Sequence, residues 1–543
     1  MIKKMQKISL LFAAALAVSA FSGCKENATD TDEPEKKAGQ TQITVGYYDG
    51  GLGRDWIRAC QKAYMEKHPD IYVMIKYDKS RYESSKLLAA YNSYDEDIFL
   101  VDQAVNEYYT EGYYYDITKA VSTPLSEYGE TESILDKLND SYVATYNKDG
   151  KYYAMPYYEA FYSLIYDVRL FEKKGFYLDG YGGYTSGSNK SAGKDGVPGT
   201  YDDGLPATTD EFFALCKYML EKGVTPFTFS GQLGYYHTKM LESFCASYEG
   251  YDDYLLNYTL NSNGREYMFA NGEKTAITRE NAWRLKTEAP GKKAALEFAD
   301  AIINGYGGSG ANGAFCSDQV WATGQDHLQA QNEFIFSEFT GKPVAFLIDG
   351  TWWEREAKSA FDSLVKRTKD QSDAYGKRKF GVMPLPTQHD DGKGKESVFS
   401  GVTGSQIFIN KNTSQAKEAI DFFRYLHSDE ALSLMTSRSN TLRPFDYKIA
   451  NNDKENMTYF SAQISDLLHS GQAAAKTIPD MVVDPCFQNT EFFTFQKWTF
   501  GSTYGSYPLQ LMHDYGYNVS EYLAAMSVDC DKWTQRIAAW NKD

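Results

Sequence analysis

Residues 42–76 read QITVGYYDGGLGRDWIRACQKAYMEKHPDIYVMIK, and they decide the fold class. Ile43, Val45 and Tyr47 alternate with smaller or polar residues, the period of a strand. A turn rich in glycine, Gly50-Gly51-Leu52-Gly53, leads into a segment where Trp56, Ala59, Cys60, Ala63 and Tyr64 recur at helical spacing. Pro69-Asp70 ends that helix, and Ile71-Tyr-Val-Met-Ile75 is a second strand. A further helix from Ser84 precedes Asp97-Ile-Phe-Leu-Val-Asp102, a third strand closing on a carboxylate. Strand and helix thus alternate, which predicts an α/β fold with a parallel sheet and helices on its faces. Ligands on such sheets gather at the carboxyl ends of the strands.

Towards the N-terminus, Lys3, Lys4 and Lys7 precede an apolar run over residues 8–21. At about 1.5 Å per residue the run is short for a hydrocarbon core of about 30 Å, so it reads as an export signal. Phe21-Ser-Gly-Cys24 closes it and resembles the bacterial lipobox, which implies cleavage before Cys24 and lipidation of that cysteine. Residues 25–41 hold no apolar side chain larger than Ala and one Pro, the composition of a solvated tether.

The formal charge of −17 over 543 residues argues against nucleic acid or anionic lipid as partner, because phosphates require a basic footprint. Besides Cys24, Cys60, Cys216, Cys245, Cys316, Cys486 and Cys530 are widely spaced and never form Cys-x-x-Cys, so zinc is not expected. Whether these six pair as disulfides is left open. The 44 Tyr, 31 Phe and 8 Trp suit sugar rings as well as cores. Gly308-Ser-Gly-Ala-Asn-Gly313 spells a dinucleotide fingerprint but follows a helical stretch, and there is no Walker loop, His-Glu-x-x-His or Gly-x-Ser-x-Gly. Residues 180–204, rich in Gly, Ser and Asp, read as a surface loop. Within it Asp195, Asp202 and Asp203 offer carboxylates sufficient for calcium, though the Asp-x-Asp start of an EF-hand is missing.

Downstream, Lys151-Tyr-Tyr-Ala-Met-Pro-Tyr-Tyr-Glu-Ala-Phe-Tyr-Ser-Leu-Ile-Tyr166, Ile348-Asp-Gly-Thr-Trp-Trp353, Gly381-Val-Met-Pro-Leu-Pro386 and the amphipathic helix ending near Tyr425-Leu-His427 follow in order. With the opening unit, this succession resembles family 1 of the extracellular solute-binding proteins of ABC importers, whose best-known members bind maltose and other sugars. The resemblance implies a two-lobed periplasmic-binding-protein type II clamshell with several interlobe crossings. These are expected near residues 158–161, near residues 386–400 and shortly after Glu430. It further implies a signal peptide over residues 1–23, a flexible tether over 24–41, a first lobe from 42–159 and 398–436, and a second from 160–397 and 437–543. A monomer is expected, with no cofactor, a carbohydrate ligand, and permease subunits in the membrane as partners.

A sugar cleft combines carboxylates that accept paired hydroxyls with aromatics that cover a ring face. Residues following strands are the candidates: Tyr47, Tyr48 and Asp49; Asp102 and Gln103; Tyr157, Tyr158 and Glu159 at the hinge; Asp349, Trp352 and Trp353; and Ser230, Gly401 and Ser405. Trp352 leads, because it matches the family's stacking aromatic, and only one of the tryptophan pair is expected to face the cleft. Asp49 and Asp102 could equally cap helices or brace turns. Glu159 stands one position before the family's glutamate, where this chain has Ala160. Two other functions remain open: a secreted carbohydrate-active enzyme using carboxylates such as Asp102 and Glu159, and a ligand-sensing surface lipoprotein.

Overall fold

Ile43, Val45 and Tyr47 bury one side of β1 (Thr41–Tyr47) in a sheet core, and the Gly-rich turn then releases the chain into the helix Asp55–Lys67. The computed structural model describes residues 33–102, 112–307, 314–322, 324–389, 392–402, 405–469, 475–478, 507–526 and 530–540. The leader, Cys24, most of the tether, Gln103, the 308–313 motif and Cys486 lie outside them. Contacts divide the chain between Thr41 and Gln42.

The unit from Gln42 onward contains two main sheets. The first joins β1 to β2 (Ile71–Tyr77), β3 (Ile98–Val101) and β4 (Ala154–Pro156), with a late strand inserted between the last two. β1 and β3 are parallel, Val45 lying opposite Ile98. The chain then enters the second sheet through β5 (Ala160–Asp167), whose eight residues are all buried. β6 (Tyr177–Leu178) and β7 (Tyr184–Thr185) form a small hairpin in the insert. β8 (Thr225–Phe229) joins the second sheet, and β9 (Glu266–Met268) with β10 (Lys274–Ala276) forms another hairpin. β11 (Val344–Gly350), β12 (Phe380–Met383) and β13 (Ser397–Val402) complete the second sheet with β15 (Ala475–Ile478). β14 (Gln406–Ile409) is the strand that returns, antiparallel to both β3 and β4. Both sheets are therefore mixed, and the opening parallel unit is only part of the first.

Three passages link the sheets. The first is confined to Tyr157-Tyr158-Glu159 between β4 and β5. The second lies between β13 and β14, so the expected crossing at residues 386–400 and the lobe boundary at 398 both shift towards the C-terminus. Along the third, the helix Asp429–Ser439 packs on the helix Asp55–Lys67, and Leu442 then ladders with Glu159. Phe445 stays in the first core, and Ser433 Oγ donates to Asp453, so residues well beyond 436 belong with the first lobe. The helix Tyr459–His469 then reaches β12, where Gln463 accepts the Val382 amide.

The insert is more than surface. Buried Asp202 gathers the backbone amides of Lys194 (2.7 Å) and Asp195 (2.9 Å) and the Thr200 hydroxyl (2.7 Å), while Asp195 and Asp203 brace Val197 and Gly199. Lys194, also buried, donates to Thr387 and to the Glu396 carbonyl, and burial pushes its ammonium down to about 7. The acidic residues hold this loop's own turns. Among the described residues no group of three or more His, Cys, Asp or Glu is placed to hold a metal ion. Cys60, Cys216, Cys245 and Cys316 are buried free thiols.

Candidate functional site

β11 ends at Asp349-Gly350, and the chain turns through Thr351 and Trp352 into the short helix Trp353–Glu356. That geometry sends the two tryptophans opposite ways. Trp353 is fully buried among Phe334, Phe361, Phe380 and Phe460. Trp352 is only partly buried and packs against the first lobe's core. Two glycines make room for it: a Cβ on Gly350 would sit 2.2 Å from its ring, and one on Gly51 3.0 Å from its Cδ1. The Gly-rich turn after β1 thus receives Trp352 from the other lobe, and Trp353 is corrected from ligand candidate to core.

Around Trp352 lies an aromatic cluster. Tyr162 of β5 stands edge-on to it at 5.1 Å, and Tyr162 is also edge-on to Tyr236 (5.3 Å) and Tyr235 (6.3 Å). Tyr235 and Tyr236 open the helix Tyr235–Glu249 that follows β8. From the first lobe, Tyr48 joins them: burial raises its hydroxyl above the ordinary range, and Asp102, Tyr158, Glu83 and Tyr235 act on it electrostatically. Tyr158 in turn sits edge-on to Tyr157 at 5.1 Å.

Beneath the aromatics is a polar group. Gln331 Nε2 donates to Asp349 Oδ2 (3.1 Å) and Glu356 Oε2 (2.8 Å), tying two carboxyls together. His327 faces Glu356 at 3.5 Å and stacks on Tyr236 at 5.6 Å. Burial, reinforced by Glu356, pushes the Asp349 carboxyl up to about 8, so it is protonated at neutral pH. Burial also penalises a charge on Glu356, yet His327 and Gln331 outweigh it and hold this carboxylate below its usual range. Glu356 in the same way lifts His327 above the ordinary imidazole value against the effect of burial.

The remaining expected residues sit differently. Tyr47 is fully buried; its hydroxyl donates to the Gly53 carbonyl (2.8 Å) and accepts from Trp56 (3.1 Å), so it anchors the turn instead of meeting a ligand. Asp49 is held by Arg54 at 2.7 Å. Asp102 Oδ1 accepts the amide and hydroxyl of Ser84, bracing the start of the helix Ser84–Ala89, and Ser405 donates to the Asp102 carbonyl. Ser405 and Tyr157 are buried. Glu159 is buried in the hinge, its amide on the Leu442 carbonyl and one carboxylate oxygen near Tyr142. Ser230 braces the turn to Leu233, and Gly401 pairs with Phe161 inside the sheet. Sequence reasoning missed Tyr162, Tyr235, Tyr236, His327, Gln331 and Glu356. The tyrosine pair after β8 could have been found by the same strand-end rule that found Trp352.

Residues 59–458 match the family model described as bacterial extracellular solute-binding protein. Among solved structures, the apo form of RafE from Streptococcus pneumoniae is similar at a TM-score of 0.57 and 15% identity, over 92% of this chain and 100% of that one. Maltose-bound T. maritima MalE3 is similar at 0.52 and 15% identity, over 91% and 99%. A chitin oligosaccharide binding protein is similar at 0.54 and 14% identity, over 91% and 99%. No curated protein matches the sequence. The two-sheet α/β architecture with its repeated crossings agrees with these neighbours, and the match over most of the chain shows that this protein belongs to the bacterial extracellular solute-binding protein family.

Proposed function

We propose that the chain is the lipid-anchored substrate-binding component of an ABC importer, capturing a carbohydrate between its lobes and delivering it to a membrane permease. The observation that carries the reading is the cluster of Tyr48, Tyr158, Tyr162, Tyr235, Tyr236 and Trp352, drawn from both lobes, with all but Tyr162 of β5 following the carboxyl ends of strands. Such rings cover the C–H faces of a sugar, while the adjoining Asp349, Glu356, Gln331 and His327 offer partners for hydroxyls. The similar structures include one bound to raffinose and one bound to maltose, which supports the same ligand class. Closure would bury the ligand against both lobes, so contacts made only in the closed form would stabilise it. Lipid on Cys24 would keep the receptor near its permease.

The test is calorimetric titration with a panel of oligosaccharides, followed by Trp352→Ala on the best ligand. Binding by the native chain and a loss of about 2 kcal/mol in the variant are expected. Unchanged affinity in Trp352→Ala would remove the site assignment. For the membrane anchor, Cys24→Ala should release the protein from the membrane fraction. The enzymatic alternative is disfavoured by its own carboxylates: Glu159 is buried in the hinge and Asp102 Oδ1 is committed to Ser84.

A further inference from the structure

Glu356, one of the partners offered to sugar hydroxyls, also carries the negative charge nearest the Trp352 ring. It closes the short helix that begins beside Trp352, and its Oε1 would lie 3.5 Å from a Cβ on Gly51, beside the Trp352 ring edge. It therefore shares with Trp352 the edge that faces the other lobe. The polar group around it holds atoms without partners. Gln331, only 1% exposed, spends its amide donors on Asp349 and Glu356, and its Oε1 has no partner. His327 Nδ1 and Ser163 Oγ are likewise buried without partners, and Ser163 lies directly opposite Asp349 across the β5–β11 ladder. Arg355, next in the helix, is taken by Asp55. Lys79, which also acts on Glu356, is exposed and screened by solvent.

We infer that Glu356 sets the charge class of the ligand, so that the cleft takes hydroxyl- or amine-bearing saccharides and rejects carboxylated ones. This rests on the carbohydrate reading of the same site. A hydroxyl or ammonium hydrogen can satisfy Gln331 Oε1, whereas a carboxylate brings no donor for it and a second negative charge beside Glu356. Ionisation sharpens the selection. As pH rises past the ordinary imidazole value, His327 gives up the proton that offsets Glu356, and near pH 8 Asp349 ionises as well. The other titratable groups facing the cluster are Asp326, which acts on His327, and Tyr235 and Tyr236, both neutral in this range.

The experiment pairs neutral oligosaccharides, raffinose and maltotriose among them, with counterparts in which a terminal CH2OH is oxidised to a carboxylate. Calorimetry of the native chain should show the neutral member bound about a hundredfold more tightly, with the gap narrowing below about tenfold in Glu356→Gln. In the native chain alone the gap should widen between pH 6 and 8.5, which keeps the inference testable should the variant fold poorly. Equal binding of both members, or a gap that neither pH nor Glu356→Gln moves, overturns the inference and leaves the carbohydrate reading standing. Binding of neither member across the panel overturns both.

Discussion

The two lobes bring unlike polar groups to the space between them. On the first, Tyr47, Asp49, Asp102 and Ser405 are engaged within their own lobe, by Gly53 and Trp56, Arg54, Ser84 and the Asp102 carbonyl respectively. On the second, Asp349, Gln331, Glu356 and His327 form a linked group with an unmet acceptor at Gln331 Oε1 and an unpartnered nitrogen at His327 Nδ1. Burying a polar atom without a partner costs about 1–3 kcal/mol, and a ligand can offset what the fold leaves unmet. The first lobe thus presents a shaped and braced wall, while the second carries the unmet polar atoms.

The adjacent tryptophans give the largest contrast. Trp353→Ala should destabilise the fold by about 3–5 kcal/mol in urea denaturation, because its ring fills a core of phenylalanines. A change below 1 kcal/mol would mean that the second lobe's core tolerates the cavity and that Trp353 is free for the ligand after all.

Next comes pH. The Asp349 carboxyl keeps its proton up to about pH 8 in the fold and to only about pH 4 in the unfolded chain. The folded state holds the extra proton within that window, so stability falls as pH rises across it, by an amount on the order of a few kcal/mol. Glu354, buried and pushed up to about 7, acts in the same direction. Asp349→Asn should therefore flatten the loss of stability between about pH 5 and pH 8. An unchanged slope would show that the second lobe's Asp349 does not hold the extra proton.

Smaller effects are expected on the first lobe. Tyr47→Phe should cost about 1–2 kcal/mol in stability, since Gly53 and Trp56 lose their common partner, with ligand affinity unchanged. Asp102→Ala should cost about 1 kcal/mol through the loosened start of the helix Ser84–Ala89. Should Asp102→Ala instead abolish ligand binding in a chain of unaltered stability, the division between the lobes would fail.

Local pattern carried much of this fold. Alternation located β1, and short apolar runs located β2 and β3. The first crossing, expected near residues 158–161 and found at Tyr157-Tyr158-Glu159, was legible to within two residues because Pro156 ends one apolar run just before the next begins. The second crossing was harder: β13 and β14 are separated only by residues 403–405, and nothing local says that they belong to different sheets. For the same reason the strand-end rule listed Tyr47 and Asp49 beside Tyr48, although only long-range packing turns alternate residues towards core or cleft.

The sequence by itself determined an α/β chain with a Gly-x-Trp turn after a strand, because periodicity and turn chemistry are local properties. Tertiary structure alone decided which tryptophan faces the other lobe. It also brought Tyr162, Tyr235, His327, Gln331 and Glu356 together and left polar atoms of that group unmet. Those residues come from a strand and from the starts, middle and end of helices, and their convergence depends on how the second sheet stacks its connections. Burial, which sets the charge of Asp349 and the cost of each unmet polar atom, exists only once that stacking has excluded water.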